Sequence, residues 1–158
     1  MQISKIRQVT LPIILITAQA ITTLIPAQGV VTPPLTKCHI ELDSPHISKY
    51  LLRKFGIMAV KVNAYSKCDK PMRNLKLTVE LFKVGFFNDD QVAKEEVKIP
   101  GLIYANRVGK NQSAYIKCKD TKKNRFYGIA YASGVIDGEF KKTFHVFSEK
   151  TVSIKCGT

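Results

Sequence analysis

Leu75-Lys76-Leu77-Thr78-Val79-Glu80-Leu81-Phe82 is the clearest strand in the chain. Leu75, Leu77, Val79 and Leu81 fall on one side of an extended backbone. Lys76, Thr78 and Glu80 fall on the other. A two-residue period of this kind marks a strand with one buried face. The pattern continues on both sides of this stretch. Residues 37–42 alternate, and so do 55–68, where Met58, Val60, Val62, Ala64 and Cys68 share a face opposite Ile57, Ala59, Lys61 and Asn63. Residues 91–99 set Val92 and Val97 among charges, as an edge strand does. Residues 113–118 and 125–136 flank the polar run 119–124 and read as a hairpin. Residues 142–147 and 151–156 complete the set.

Turn chemistry separates these segments: Asp69-Lys70-Pro71, Gly85, Asn88-Asp89-Asp90, Pro100-Gly101, Gly109-Lys110-Asn111 and Asp137-Gly138. Only residues 44–54, with Ile47, Tyr50, Leu51 and Lys54, show helical spacing, enough for one turn. The pattern predicts an all-β domain over residues 37–158, an antiparallel, immunoglobulin-like β-sandwich of about seven or eight strands. Phe55, Tyr65, Phe82, Phe126, Tyr127, Phe140 and Phe144 are available to fill its core.

The N-terminal segment has a different character. Lys5 and Arg7 are its only charges, and residues 9–25 are largely apolar. A basic start followed by an apolar stretch predicts a signal peptide, residues 1–27, cleaved after Ala27 or, at Ala18-Gln19-Ala20, after Ala20. An uncleaved anchor is the alternative, since about 20 apolar residues span a bilayer. Pro12, Gln19, Pro26 and four threonines weaken such a helix, so the mature chain is expected to carry no stable membrane span. Residues 28–36, with Gly29, Pro33 and Pro34 and no charge, read as a flexible lead-in. Both readings send the remainder out of the cytoplasm, and the expected location is extracellular.

Cys38, Cys68, Cys118 and Cys156 are the only cysteines. An even number in a small exported chain predicts disulfides. Each cysteine shares strand parity with apolar residues: Ile40 and Leu42; Val60 and Val62; Ala114 and Ile116; Val152 and Ile154. Inward-facing cysteines on neighbouring strands can meet. Of the three possible pairings, Cys38–Cys68 with Cys118–Cys156 is preferred, each closing a loop of moderate length. A metal site is not expected, because there is no Cys-x-x-Cys and the three histidines complete no zinc spacing. No cofactor motif is present.

Without Lys5 and Arg7 the chain keeps 23 basic against 12 acidic residues, a net charge of +11. Such a bias favours anionic surfaces: nucleic acid, acidic headgroups or cell-wall polyanions. A lysine-rich composition also arises from an AT-rich genome, so charge alone names no partner, and no specific nucleic-acid motif accompanies it.

Cys38-His39-Ile40-Glu41-Leu42-Asp43-Ser44-Pro45-His46-Ile47-Ser48, the long alternating run ending at Cys68, the Leu75 strand, and the third and fourth cysteines together resemble a group of small secreted four-cysteine proteins of actinobacteria. The resemblance spans nearly all of the expected mature chain. It implies export and a β-sandwich-like fold, and no activity. Members of that group are often poor in lysine, whereas this chain is rich in it.

Several candidate sites follow. Lys119, Lys122, Lys123 and Arg125 form the densest basic cluster and are a candidate anion-binding site; the alternative is a solvated hairpin tip. Tyr127 and Tyr131 follow on one strand face and could extend it as an aromatic surface. Phe86 and Phe87, after Gly85, form a partner patch if exposed and core if buried. His46, Ser48 and Asp43 are the nearest approach to a nucleophilic triad, but no nucleophile elbow surrounds them. His46 and His145 could act as the acid–base pair of a small nuclease. Asn111-Gln112-Ser113 is a glycosylation sequon. The expected function is a secreted, non-enzymatic protein that binds a partner or an anionic envelope component through a basic surface. A secreted hydrolase such as a small nuclease, and a secreted inhibitor or toxin-like effector, are the alternatives.

Overall fold

The computed structural model describes residues 37–143 and 145–158; the expected leader and lead-in lie outside them. The chain runs β1 (Cys38–Leu42), β2 (His46–Ile47), α1 (Lys49–Phe55), β3 (Ala59–Lys61), β4 (Ala64–Cys68), β5 (Met72–Lys83), β6 (Asp90–Ile103), β7 (Val108–Asn111), β8 (Tyr115–Lys117), β9 (Asp120–Ile136), β10 (Glu139–Lys142), β11 (Val146–Phe147) and β12 (Val152–Gly157). The fold is all-β, and every strand pairing among the described residues is antiparallel.

The large sheet has the order β10-β9-β5-β6. β9 is its spine. One edge of β9 pairs with β5, and the other is shared in turn by β10, β11 and β12 along its length. β6 is the outer strand, as its charges require, since Lys94, Glu95, Glu96 and Lys98 discourage further pairing. Two three-stranded sheets, β1-β4-β7 and β2-β3-β8, complete the fold. Leu75, Leu77, Val79 and Leu81 of β5 join Phe126, Ala130 and Ala132 of β9 and Val60, Val62 and Ala64 in one buried core. The layers approach closely at two glycines. A Cβ on Gly109 of β7 would lie 2.1 Å from Leu75 Cδ2, and one on Gly128 of β9 would lie 2.8 Å from Val62 Cγ2.

Both expected bridges form: Cys38–Cys68 joins directly paired residues of β1 and β4, and Cys118–Cys156 joins the β8–β9 link to β12. Twelve strands are described where about seven or eight were expected, because some runs that alternate in sequence are broken in space. Residues 55–68 divide into β3 and β4, which belong to different sheets. Between them Val62 N–H donates to Ala114 O, and Asn63 O accepts from Asp43 N–H. Ala59, Val60, Val62, Asn63 and Ala64 are all buried, and of residues 59–64 Lys61 alone is partly exposed. The hairpin expected around 119–124 does not form either. β8 pairs with β3, and residues 120–124 already belong to β9, paired with β12. The run is polar because this end of β9 extends beyond the core, not because it turns.

The helix is also longer than one turn. Ser48 Oγ accepts from Leu51 N–H at 3.3 Å, and Gly56 closes the last turn at φ 68°. Arg53 and Lys54 lie in the final turn, where cations complement the carbonyl end.

Candidate functional site

One end of the large sheet collects the candidates. β5 and β12 finish there, and β6 and β9 begin there. Backbone bonds hold the links together: Val84 N–H to Arg125 O (2.8 Å), Lys119 N–H to Gly157 O (2.7 Å) and Cys118 N–H to Met58 O (2.9 Å). The Cys118–Cys156 bridge lies among them.

Lys119, Lys122, Lys123 and Arg125 are all exposed at this end. β12 adds a fifth cation that the sequence cluster does not contain. Lys155 is the direct cross-strand partner of Lys123. Thirty-two positions separate the two in sequence, and only the β9–β12 register reveals their pairing. Among the described residues none of the five cations makes an ion pair, and the ion pair at this end joins Lys83 to Asp90. Asp120, the acid within the cluster, uses Oδ1 to accept from Lys122 N–H at 2.7 Å. At the far end of the sheet Lys70 pairs with Asp137 and Lys141 with Glu139, while among the described residues Arg73 and Lys142 there make no ion pair. The Lys141 ammonium, through a hydrogen bond and its charge, holds the Glu139 carboxyl below its usual range.

Phe86 and Phe87 occupy the β5–β6 connection at the same end. They are 93% and 89% exposed and touch edge to face, with centroids 4.7 Å apart. The core reading of this pair is therefore set aside. Gly85 N–H donates to Asp89 Oδ1 at 3.2 Å, which folds the base of the loop. Burial, and then the Asp89 carboxylate, push the Tyr127 phenol above its ordinary value.

Tyr127 and Tyr131 do share the outer face of β9, but their rings are engaged. Tyr127 stacks on Phe82, with centroids 5.1 Å apart and planes 7° apart. Tyr131 packs against the His145 ring at 4.6 Å, and Lys142 Nζ lies 5.8 Å from its centroid. Its hydroxyl donates to Glu80 Oε1, which also pairs with Lys94. Hydrogen bonds that its ammonium donates to Glu80 and Tyr131 raise Lys94 above its ordinary value. These groups knit the outer face together and leave little free ring surface for a base to stack on.

The hydrolase residues are not assembled. Ser48 Oγ is buried as the helix cap, His46 Nδ1 faces Ser44 O at 2.9 Å, and Asp43 Oδ2 accepts from Asn63 Nδ2 at 2.8 Å. His46 lies on β2 and His145 beside β11, on separate sheets. Among the described residues, no three His, Cys, Asp or Glu side chains gather to hold a metal, and no helix is long and apolar enough to cross a membrane.

The sequon asparagine is fully buried. Asn111 Nδ2 donates to Leu77 O and Glu95 O, both at 2.9 Å, and is closed to a glycosylating enzyme in the folded chain. A cleft of about 640 Å³ opens near the Cys38–Cys68 bridge, over Ile40, Met72, Leu75 and Ile136. Its lining also carries His39, Ser66, Ser133 and Thr143; of its lysines, Lys141 pairs with Glu139 and Lys142 Nζ lies 5.8 Å from the centroid of the Tyr131 ring.

Comparison of the chain with protein-family models, with curated proteins and with solved structures finds no match to any of them.

Proposed function

We propose that this is an exported, non-enzymatic protein that attaches to an anionic component of the cell envelope through the basic end of its large sheet. The observation that carries the reading is the set of five cations, Lys119, Lys122, Lys123, Arg125 and Lys155, gathered without ion-pair partners among the described residues. Clustered cations raise the local concentration of polyanions and speed their capture. The two disulfides support an oxidising location. The resemblance to exported four-cysteine proteins points the same way.

An enzyme would need a nucleophile or an acid–base pair within reach of a substrate. Ser48, His46, Asp43 and His145 are each engaged elsewhere, which favours attachment over catalysis. Chromatography on a sulfated-polysaccharide matrix tests the proposal. The protein is expected to be retained and to elute with salt. Neutralising Lys119, Lys122, Lys123 and Arg125 to Gln should bring elution to much lower salt. Unchanged elution of that variant removes this end from the account.

A further inference from the structure

The anionic surface can be specified further. We propose that this end docks on an anionic lipid bilayer, with Phe86 and Phe87 entering the boundary between headgroups and acyl chains while the five cations lie against lipid phosphates. The proposal rests on the attachment reading above and gives it a ligand class.

Two adjacent phenylalanines are almost wholly exposed at a hairpin tip, ring against ring. Single exposed apolar residues are common, but a paired aromatic tip is a contact surface. A soluble polyanion has no use for such a tip, because sulfate and phosphate groups are recognised by charge and hydrogen bonds. A bilayer satisfies both parts: rings enter its apolar boundary and cations meet its headgroups.

The geometry keeps the two parts together. The loop carrying the rings leaves β5 at Val84, bonded to Arg125 O. Arg125 and Lys123 continue along β9 from that point, and Lys155 lies across from Lys123. Of the two acids beside the rings, Asp90 pairs with Lys83, and Asp89 accepts from Gly85 N–H at the base of the loop. The helix exposes an apolar group of its own, Tyr50, Leu52 and Phe55, with Lys54 Nζ 5.3 Å from the centroids of the Tyr50 and Phe55 rings. The backbone bond from Cys118 N–H to Met58 O ties the segment after that helix to the same end.

The chain contains no tryptophan, so Phe87→Trp supplies a sole reporter at an exposed position where folding is not at risk. The disulfide-bonded protein is titrated with vesicles of phosphatidylglycerol and phosphatidylcholine, and with phosphatidylcholine alone. The expected result is a blue shift of the tryptophan emission, and its quenching by brominated acyl chains, with the anionic vesicles only. Replacing both Phe86 and Phe87 by Ser should weaken co-sedimentation with anionic vesicles by about tenfold or more, with retention on the sulfated matrix unchanged. Neutralising the four clustered cations should weaken both.

Retention on the sulfated matrix without any emission shift on anionic vesicles overturns the membrane proposal and leaves the attachment reading standing. Loss of both overturns both. Vesicle binding unchanged by the double Ser variant, an emission shift produced by nucleic acid or by self-association without vesicles, or an equal shift on neutral vesicles, each contradicts the proposal.

Discussion

Lys123 and Lys155 stand directly opposite each other on β9 and β12, and among the described residues neither is paired with a carboxylate. Like charges in that relation destabilise a sheet. Opposite charges are arranged elsewhere in the same sheet, as at Glu80 and Lys94. Replacing Lys155 by Glu converts the repulsive pair into an attractive one. Stability should rise by about 0.2–1 kcal/mol, while elution from an anionic matrix should move to lower salt. Chemical denaturation and salt-gradient chromatography of one variant measure both. A variant less stable than the parent contradicts the assignment of repulsion at this pair.

The two bridges differ in what they hold. Cys38–Cys68 spans a separation of 30 residues and Cys118–Cys156 one of 38, so each should contribute about 3.5–4 kcal/mol by the chain-entropy account. Cys118–Cys156 also fixes the link before β9 to β12, and that link with β9 and β12 carries the five cations. Removing it by paired Ser substitutions should lower stability and also weaken anion retention. Removing Cys38–Cys68 should lower stability alone. Equal retention by the two folded variants contradicts this division.

The period-two pattern made the central sheet legible. Leu75 to Leu81 became the buried face of β5, and the charges of 91–99 placed β6 at an edge. Cysteine parity led to the bridges. What the pattern could not convey was context on the other face. Thr78, read as solvent-facing, is buried beneath the side chains that cover the outer face, and Oγ1 has no hydrogen-bond partner among the described residues. Ala59 and Val60 are both buried, so alternation could not reveal the break between β3 and β4. Lys119, Lys122, Lys123 and Arg125 were visible as a charge run. Lys155 was not, because only the β9–β12 register brings it to Lys123.

Thr78 and Asn111 make opposed predictions. Asn111→Ala strips Leu77 O and Glu95 O of their donor and should cost on the order of 1–3 kcal/mol. Thr78→Val removes an unpartnered buried hydroxyl and should be neutral or stabilising by up to about 1 kcal/mol. Urea denaturation of both variants checks the contrast. Loss of stability in Thr78→Val reveals a partner for that hydroxyl.

Tyr127 sets a pH dependence. Burial first, and the Asp89 carboxylate second, favour its neutral phenol in the folded chain. The folded state then holds this proton more tightly than the unfolded state. Its contribution to stability is complete below the ordinary tyrosine range near pH ~10 and is lost as pH rises through the elevated value. The difference in phenolate absorbance between the parent and Tyr127→Phe should give a midpoint above about 10. A midpoint at or below that value contradicts the assigned environment.

Where the charge lies, rather than how much of it there is, governs the proposed attachment, and one comparison separates the two. The salt concentration for elution from a sulfated-polysaccharide matrix is measured for the parent chain and two charge-matched variants. In one, Lys119, Lys122, Lys123 and Arg125 become Gln; in the other, Lys37, Lys67, Lys110 and Arg107, which lie away from the basic end, become Gln. The first variant should elute at far lower salt and the second close to the parent. Equal losses in both would mean that net charge alone drives retention, and would rule out a localised binding end.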